Sequence, residues 1–298
     1  MPTGPLAAAA AYILWGLFPL YIRQIEHVGS LEIVLHRSLW SLVFVLGLLA
    51  VLRRFAWLRE LHRQPRVIAT FALTALLLSG NWLLYVWAVN QHRVLDASLG
   101  YFINPLFNVM LGYLVLHERP RPWQWAAVAL AACGVLWLTV AAGQLPWVSL
   151  VLAASFGIYG LVRKTASLGA LEGLALETLL MAPVALGGLL WLNLQGSAVF
   201  GRGDTATTLW LLAAGPFTAI PLLLFAMGAR RVSMATLGLL QYLGPSIQFV
   251  LAIWLYHEPF SPVRGIGFAL IWLGLAVYSG ESLWRYRQQA QAQAATPT

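Results

Sequence analysis

Long apolar runs alternate with short polar breaks along the whole chain, and the runs fall in one length class. They occupy residues 6–22, 31–52, 67–89, 97–116, 123–141, 146–162, 173–194, 207–227, 234–256 and 263–283. The hydrocarbon core of a bilayer takes about 20 apolar residues of helix, so the pattern predicts ten membrane-spanning helices. The breaks between the runs are too short to hold a separate domain. The expected fold is therefore an all-α integral membrane protein. The Gln- and Ala-rich segment after Arg285 is expected to be a loose tail.

The runs repeat. ASLG at 97–100 answers ATLG at 235–238, Pro105 answers Pro245, and the His117–Glu118 pair answers His257–Glu258, the prolines and the pairs each standing 140 residues apart. Earlier spans repeat more faintly: WGLFPL from Trp15 resembles FGIYGL from Phe156, and VGSLEIVL from Val28 resembles LGALEGLA from Leu168. This register aligns Glu32 with Glu172 and Arg37 with Glu177. The expected domains are 1–142 and 143–284, five helices each, with a cytoplasmic tail at 285–298. An odd number of spans per half makes the halves antiparallel. Such inverted repeats place a substrate site between the halves and let them exchange conformations across the membrane.

Composition agrees with the pattern. The chain is 60% hydrophobic and 9% charged, with mean hydropathy +0.76, whereas soluble domains carry roughly 25% charged residues. A formal charge of +8 raises nucleic acid as a partner. The basic residues sit in short loops between apolar runs instead, which reads as topology. Arg53, Arg54, Arg59, Arg63, Arg66, Arg119, Arg121, Arg163, Lys164, Arg230, Arg231, Arg285 and Arg287 fall on one side, against Arg23, Arg93, Arg202 and Arg264 on the other. The rich side belongs in the cytoplasm of a bacterial-type inner membrane, which puts both termini inside. The first run lacks the basic start of a cleavable signal and reads as a permanent helix. Cys133, the single cysteine, forms no internal disulfide and is expected to be buried in packing. The His-Glu pairs lack a second histidine at zinc spacing, and no phosphate loop marks an ATP motor. No metal or cofactor is expected; the expected partners are the bilayer and a small organic solute.

The chemistry inside the spans comes from few residues. Glu32, His36 and Arg37 lie just inside the second span, where a charge costs about 2.5 kcal/mol or more. Two readings stand open: a substrate or proton site near the outer mouth, or a structural ion pair. Glu177, aligned with Arg37, is a candidate for proton exchange and for a contact to Arg37 across the pseudo-twofold; its shallow depth favours a cytoplasmic rim charge. Pro105 and Pro245 are expected to break the fourth and ninth helices at matched positions, freeing carbonyls toward a polar interior. Polar faces flank them: Tyr101, Asn104 and Asn108; Gln241, Tyr242 and Gln248; Asn81, Trp82, Tyr85 and Asn90. Trp15 lies deep in the first span, while most other tryptophans fall near span ends as an interfacial belt. The expected cavity is lined by spans one, three, four, eight and nine, with Trp15, Arg37, Asn81, Tyr85, Tyr101, Asn104, Gln241 and Tyr242 as substrate candidates. The competing role for the polar groups is interhelical hydrogen bonding, worth about 0.6 kcal/mol each.

Several stretches taken together resemble a known family: AYILWGLFPLY near the start, EIVLHRSLWS at 32–41, NWLLYVWAVN at 81–90, LGYFINP at 99–105, HERPRPWQW at 117–125 and FGIYGLVRK at 156–164. The chain is similar to the RarD branch of the EamA-type drug/metabolite transporter superfamily. The resemblance implies an inner-membrane permease of two five-helix repeats, not an enzyme. It implies export of a small metabolite or drug-like solute by alternating access. It carries over no site residues. An intramembrane enzyme would need a nucleophile or metal cluster on one face, and none stands out. A non-transporting receptor or assembly subunit would need a closed, dry centre.

Overall fold

The computed structural model describes residues 3–90, 94–143, 147–255 and 262–294, and the regular structure in these segments is helical. The first span is a broken helix, α1 (Thr3–Gly16) and α2 (Phe18–Ile22), closed by a short 3-10 turn (Arg23–Ile25). The second is α3 (Ser30–Val51); a small helix, α4 (Ala56–Leu61), follows in the loop. Then come α5 (Pro65–Asn90), α6 (Val94–Val115) and α7 (Pro122–Ala142). The second half runs α8 (Trp147–Thr165), α9 (Ala170–Leu194), α10 (Thr205–Ala229), the broken pair α11 (Met234–Gln241) and α12 (Leu243–Trp254), and α13 (Pro262–Ala294). Among the described residues nine helices are long and apolar enough to cross a membrane, and Gly100–Val115 is a shorter apolar one. His257, Glu258 and Arg93 lie outside the described residues.

The two halves make the same contacts. α3 packs on α9, α7 on α13 and α6 on α11, each element meeting its own repeat partner. Other contacts come in exchanged pairs: α1 with α10 matches α8 with α5, α1 with α12 matches α8 with α6, and α3 with α10 matches α9 with α5. The match reaches single residues. A Cβ on Gly16 would stand 2.9 Å from Ile247, and one on Gly157 would stand 2.7 Å from Phe107. Trp15-Gly16 and Phe156-Gly157 are the aligned dipeptides, and Phe107 and Ile247 stand 140 residues apart. The same holds where α7 crosses α13: a Cβ on Gly134 would lie 2.7 Å from the Gly267 carbonyl, and one on Gly274 would lie 2.7 Å from the Ala127 carbonyl. Side chains this small let the backbones touch, which is how helices associate where lipid gives no hydrophobic drive.

Three expectations are corrected. The tail is not loose as far as it is described, because α13 stays helical to Ala294; Gln and Ala are strong helix formers and carry the helix past the apolar run. Cys133 is exposed, because α7 turns Ala127, Ala131 and Leu138 inward, and a residue two positions from Ala131 falls on the far face of a helix. The helix breaks are not matched either. α6 runs unbroken through Pro105, whose carbonyl is clamped against Gly238, where a Cβ would approach to 2.5 Å. The interruptions fall at Leu17 and Tyr242. Pro19 sits in the first turn of α2, where a missing N–H is tolerated. Having no N–H, Pro19 leaves the Trp15 carbonyl without its helical donor, and Gln248 Nε2 supplies one at 3.2 Å.

Candidate solute cavity

A cavity of about 370 Å³ lies between the halves, within the roughly 300–1,000 Å³ of small-molecule sites. Trp15, Arg37, Asn81, Tyr85, Tyr101 and Gln241 line it together, with Pro245. The second and sixth spans also contribute, through Ser30, Ile33, Val34 and Arg37 and through Phe156. Of the second span only Arg37 was expected in the wall, and of the sixth no residue was. The alignment of Phe156 with Trp15 was the signal for the sixth. Ser30 opens α3 and Ile22 closes α2, so the cavity reaches the end of the bundle that carries the α2–α3 and α9–α10 loops.

The opposite end is closed. Tyr12, Trp15 and Phe156 form a floor with Phe225 and Tyr159 beneath it: ring centroids are 5.7 Å apart for Tyr12 and Trp15, 5.8 Å for Trp15 and Phe156, 5.4 Å for Phe156 and Phe225, and 5.9 Å for Tyr159 and Phe225. Below it, Glu118 accepts a hydrogen bond from the Met234 amide at 2.7 Å and lies 3.6 Å from Lys164 Nζ. Lys164 also donates to the carbonyls of Ala229 and Val232. These contacts tie the ends of α6, α8, α10 and α11 together.

Arg37 is the one cationic side chain in the wall described. Its Cζ lies 4.7 Å from the Phe18 ring centroid and 4.3 Å from that of Trp82, close enough for cation–π attraction. Nε donates to Thr218 Oγ1 at 3.0 Å. Asn81 is held by donation to the Leu152 carbonyl and to Ser155 Oγ, both at 2.9 Å. Gln241 Oε1 accepts from Asn108 Nδ2 at 3.0 Å. Tyr85 and Tyr101 meet edge to face at 5.9 Å. Arg37 Nε, Asn81 and Gln241 are thus fixed by bonds to neighbouring helices.

The other candidates stand outside this wall. Asn104 donates to the Ala153 carbonyl at 2.7 Å and accepts from Asn108 at 3.1 Å. Tyr242 is fully buried and donates to the Phe102 carbonyl at 3.1 Å. Both are packing contacts: Asn104 closes the crossing of α6 with α8, and Tyr242, at the break between α11 and α12, is held against α6. Glu32 accepts from the Val199 amide at 2.9 Å and the Phe200 amide at 3.0 Å, pinning the α9–α10 loop. Trp40 donates to His36 Nδ1 at 3.0 Å, which leaves the neutral ring its proton on Nε2, 3.8 Å from Glu32.

Glu177 is not a rim charge: it is buried, with Oε1 3.7 Å from Arg163 Nε. Arg163, read above as a loop residue, is itself buried, stands 5.4 Å from the Phe71 ring and donates to the Ala170 carbonyl at 2.9 Å. A Cβ on Gly173 would fall 1.9 Å from its Nη1, so the glycine makes its room. Glu177 borders a separate void of about 20 Å³, roughly one water's worth.

The chain matches the EamA-like transporter family over residues 2–140 and again over 145–280. It is 46% identical to "Protein RarD" of Streptomyces exfoliatus, covering 99% of this chain and 94% of that protein. It is 44% identical to an "Uncharacterized transporter" of Vibrio cholerae, covering 94% and 93%, and 42% identical to "Protein RarD" of Escherichia coli, covering 97% of each. A solved crystal structure shares the fold at a TM-score of 0.69 and 20% identity, over 92% of this chain and 96% of that one. The chain belongs to the EamA family, among its RarD-type members, and is a multi-pass membrane protein of the transporter class.

Proposed function

We propose that the chain is a permease that moves a small organic solute by alternating access between its two halves, which divide near residue 142. The observation that carries this reading is the cavity itself. Both halves wall it, it reaches one end of the bundle, and the aromatic floor with the Glu118–Lys164–Met234 tie seals the other. A receptor or assembly subunit needs no such space, and an intramembrane enzyme needs a nucleophile or metal group in it. Among the described residues no cluster of His, Cys, Asp and Glu has metal-binding geometry.

The sealed end carries Lys164, Arg230 and Arg231 and adjoins the first residues of α1, where Arg231 bonds to Thr3. By the bias of basic residues this end is cytoplasmic, so the conformer is outward-facing, with both termini inside. Exchange of conformation between the repeats opens the other end. Export is then loading at the inward-facing state and release from the state described here.

The geometry favours flux without obligatory proton coupling. Glu32 and His36 are committed to Val199, Phe200 and Trp40, away from the wall, and Glu177 has Arg163 as its counter-charge. The test is counterflow in proteoliposomes against a metabolite panel, with and without a pH gradient. Saturable counterflow of at least one solute, unaltered by the gradient, is expected. Conversion of a solute, or binding without counterflow, would overturn the permease reading.

A further inference from the structure

We propose that the solute is an amphipathic monoanion, a carboxylate on an aromatic or branched apolar body, and that Arg37 holds its carboxylate. The proposal rests on the permease reading and names the chemical class that site takes.

The two halves treat equivalent charges differently. Arg37 and Glu177 are repeat partners. Glu177 lies beside Arg163, its counter-charge. In the register that aligns Trp15 with Phe156, the residue equivalent to Arg163 is Ile22, and Ile22 lines the cavity with Arg37. The position that gives the second half its built-in counter-ion holds, in the first half, an apolar side chain at the cavity wall. Among the described residues no carboxylate lies within ion-pair distance of Arg37. A charge at membrane depth is expensive without a partner, and the cation–π contacts to Phe18 and Trp82 offset only part of that cost. The missing partner comes from the cavity.

The free edge of the side chain fits a carboxylate. Nε is occupied by Thr218, and Nη1 and Nη2 bond to no described residue. Two parallel N–H donors are the fork that binds a carboxylate at both oxygens. No second cationic side chain lines the cavity among the described residues, so one negative charge is matched and a dianion is not. Trp15, Phe18, Trp82 and Phe156 give the body an aromatic cage, and Asn81 and Gln241 give it two fixed amides. The charge also bears on direction. An inside-negative potential drives an anion outward, by roughly 50-fold in concentration ratio per 100 mV, so export of this class needs no proton.

The test uses the purified full chain in lipid nanodiscs, with 3-phenylpropionate, 3-phenylpropionamide and 3-phenylpropylamine as one matched set and octanoate with octanamide as a second. Binding is followed by tryptophan fluorescence and calorimetry. The carboxylates are expected to bind at least ~10-fold more tightly than their amides, and the amine not at all. Arg37→Gln should erase that preference, Arg37→Lys should keep part of it, and Ile22→Glu, which supplies the absent counter-charge from the wall, should erase it with Arg37 in place. Thermal unfolding of each variant confirms folding, and Ile22→Glu keeps the test decisive where Arg37→Gln fails to fold. Equal binding of amide and carboxylate, a preference that survives Ile22→Glu or Arg37→Gln, or no binding in either set overturns the proposal. The same solutes in counterflow separate the two claims. Amide flux equal to carboxylate flux sinks the charge assignment and leaves the permease. Carboxylate binding without counterflow sinks the permease and leaves the assignment.

Discussion

Arg37 and Glu177 hold the same position in the two halves and do not pair with each other. Glu177 lies 3.7 Å from Arg163 deep in the second half, while Arg37 lies over two aromatic rings at a cavity wall. The contact across the pseudo-twofold that their alignment suggested is replaced by a pair inside one half. The reason is local: Gly173 leaves room for a guanidinium beside Glu177.

That pair sets a stability prediction. Removing one member of a buried ion pair leaves an uncompensated charge, at about 3–5 kcal/mol, while replacing both by apolar groups is often neutral. Arg163→Met is expected to lower the unfolding temperature in detergent strongly. Arg163→Met with Glu177→Leu should recover most of the loss. Gly173→Ala, which pushes into Arg163, should resemble the single variant. A single variant as stable as the parent would show that the pair contributes nothing.

Glu32 gives a prediction of the opposite kind from a transport residue. Its carboxylate satisfies the amides of Val199 and Phe200, and a buried donor left unpaired costs about 1–3 kcal/mol. Glu32→Ala should lower stability and abundance. Flux per folded molecule should stay near parental, because Glu32 is not in the cavity wall. A collapse of flux at unchanged unfolding temperature would return Glu32 to the transport path.

Much of this was legible in the chain, and the rest was not for definable reasons. The ten runs and the 140-residue register carry the bundle and its inverted repeat, because length and apolarity suffice to specify a span in lipid. Asn81, Asn104, Asn108 and Gln241 lie inside the bundle, but inside divides into cavity and contact. Asn81 and Asn104 look alike in sequence, and one borders the cavity while the other fills a helix crossing. That difference depends on how closely two backbones approach, which neighbouring small residues set and periodicity does not. Arg163 was misread because it stands near a loop. Its alignment with Ile22, inside the first span, was the sign that it lies within the bundle.

Topology is checked by labelling. In a Cys133→Ala background, Arg202→Cys, in the exposed α9–α10 loop, is expected to react with an impermeant maleimide on intact cells. Arg59→Cys, on α4, should react only after permeabilisation. The reverse pattern would invert the orientation and make the described state inward-facing.

The last prediction follows from one asymmetry between the repeats. Asn104 and Gly244 are partners in the 140-residue register. Asn104 reaches the Ala153 carbonyl at 2.7 Å and closes the crossing of α6 with α8. Gly244 has no side chain to close the matching crossing of α12 with α1, and it lines the cavity there. A Cβ at Gly244 would meet the Tyr12 carbonyl at 3.4 Å, an ordinary contact, so a Cβ is accepted without strain. Gly244→Asn should therefore fold, fill the space that the first half fills, and cut flux by roughly tenfold, the effect of about 1.4 kcal/mol. Gly244→Ala should fall between. The reciprocal Asn104→Gly removes the acceptor for Asn108 and opens a void in a tight crossing, so it should lower the unfolding temperature and leave flux per folded molecule largely intact. Flux and thermal stability measured on all three variants separate space from packing. Parental flux in a well-folded Gly244→Asn variant would mean that the solute does not pass this wall.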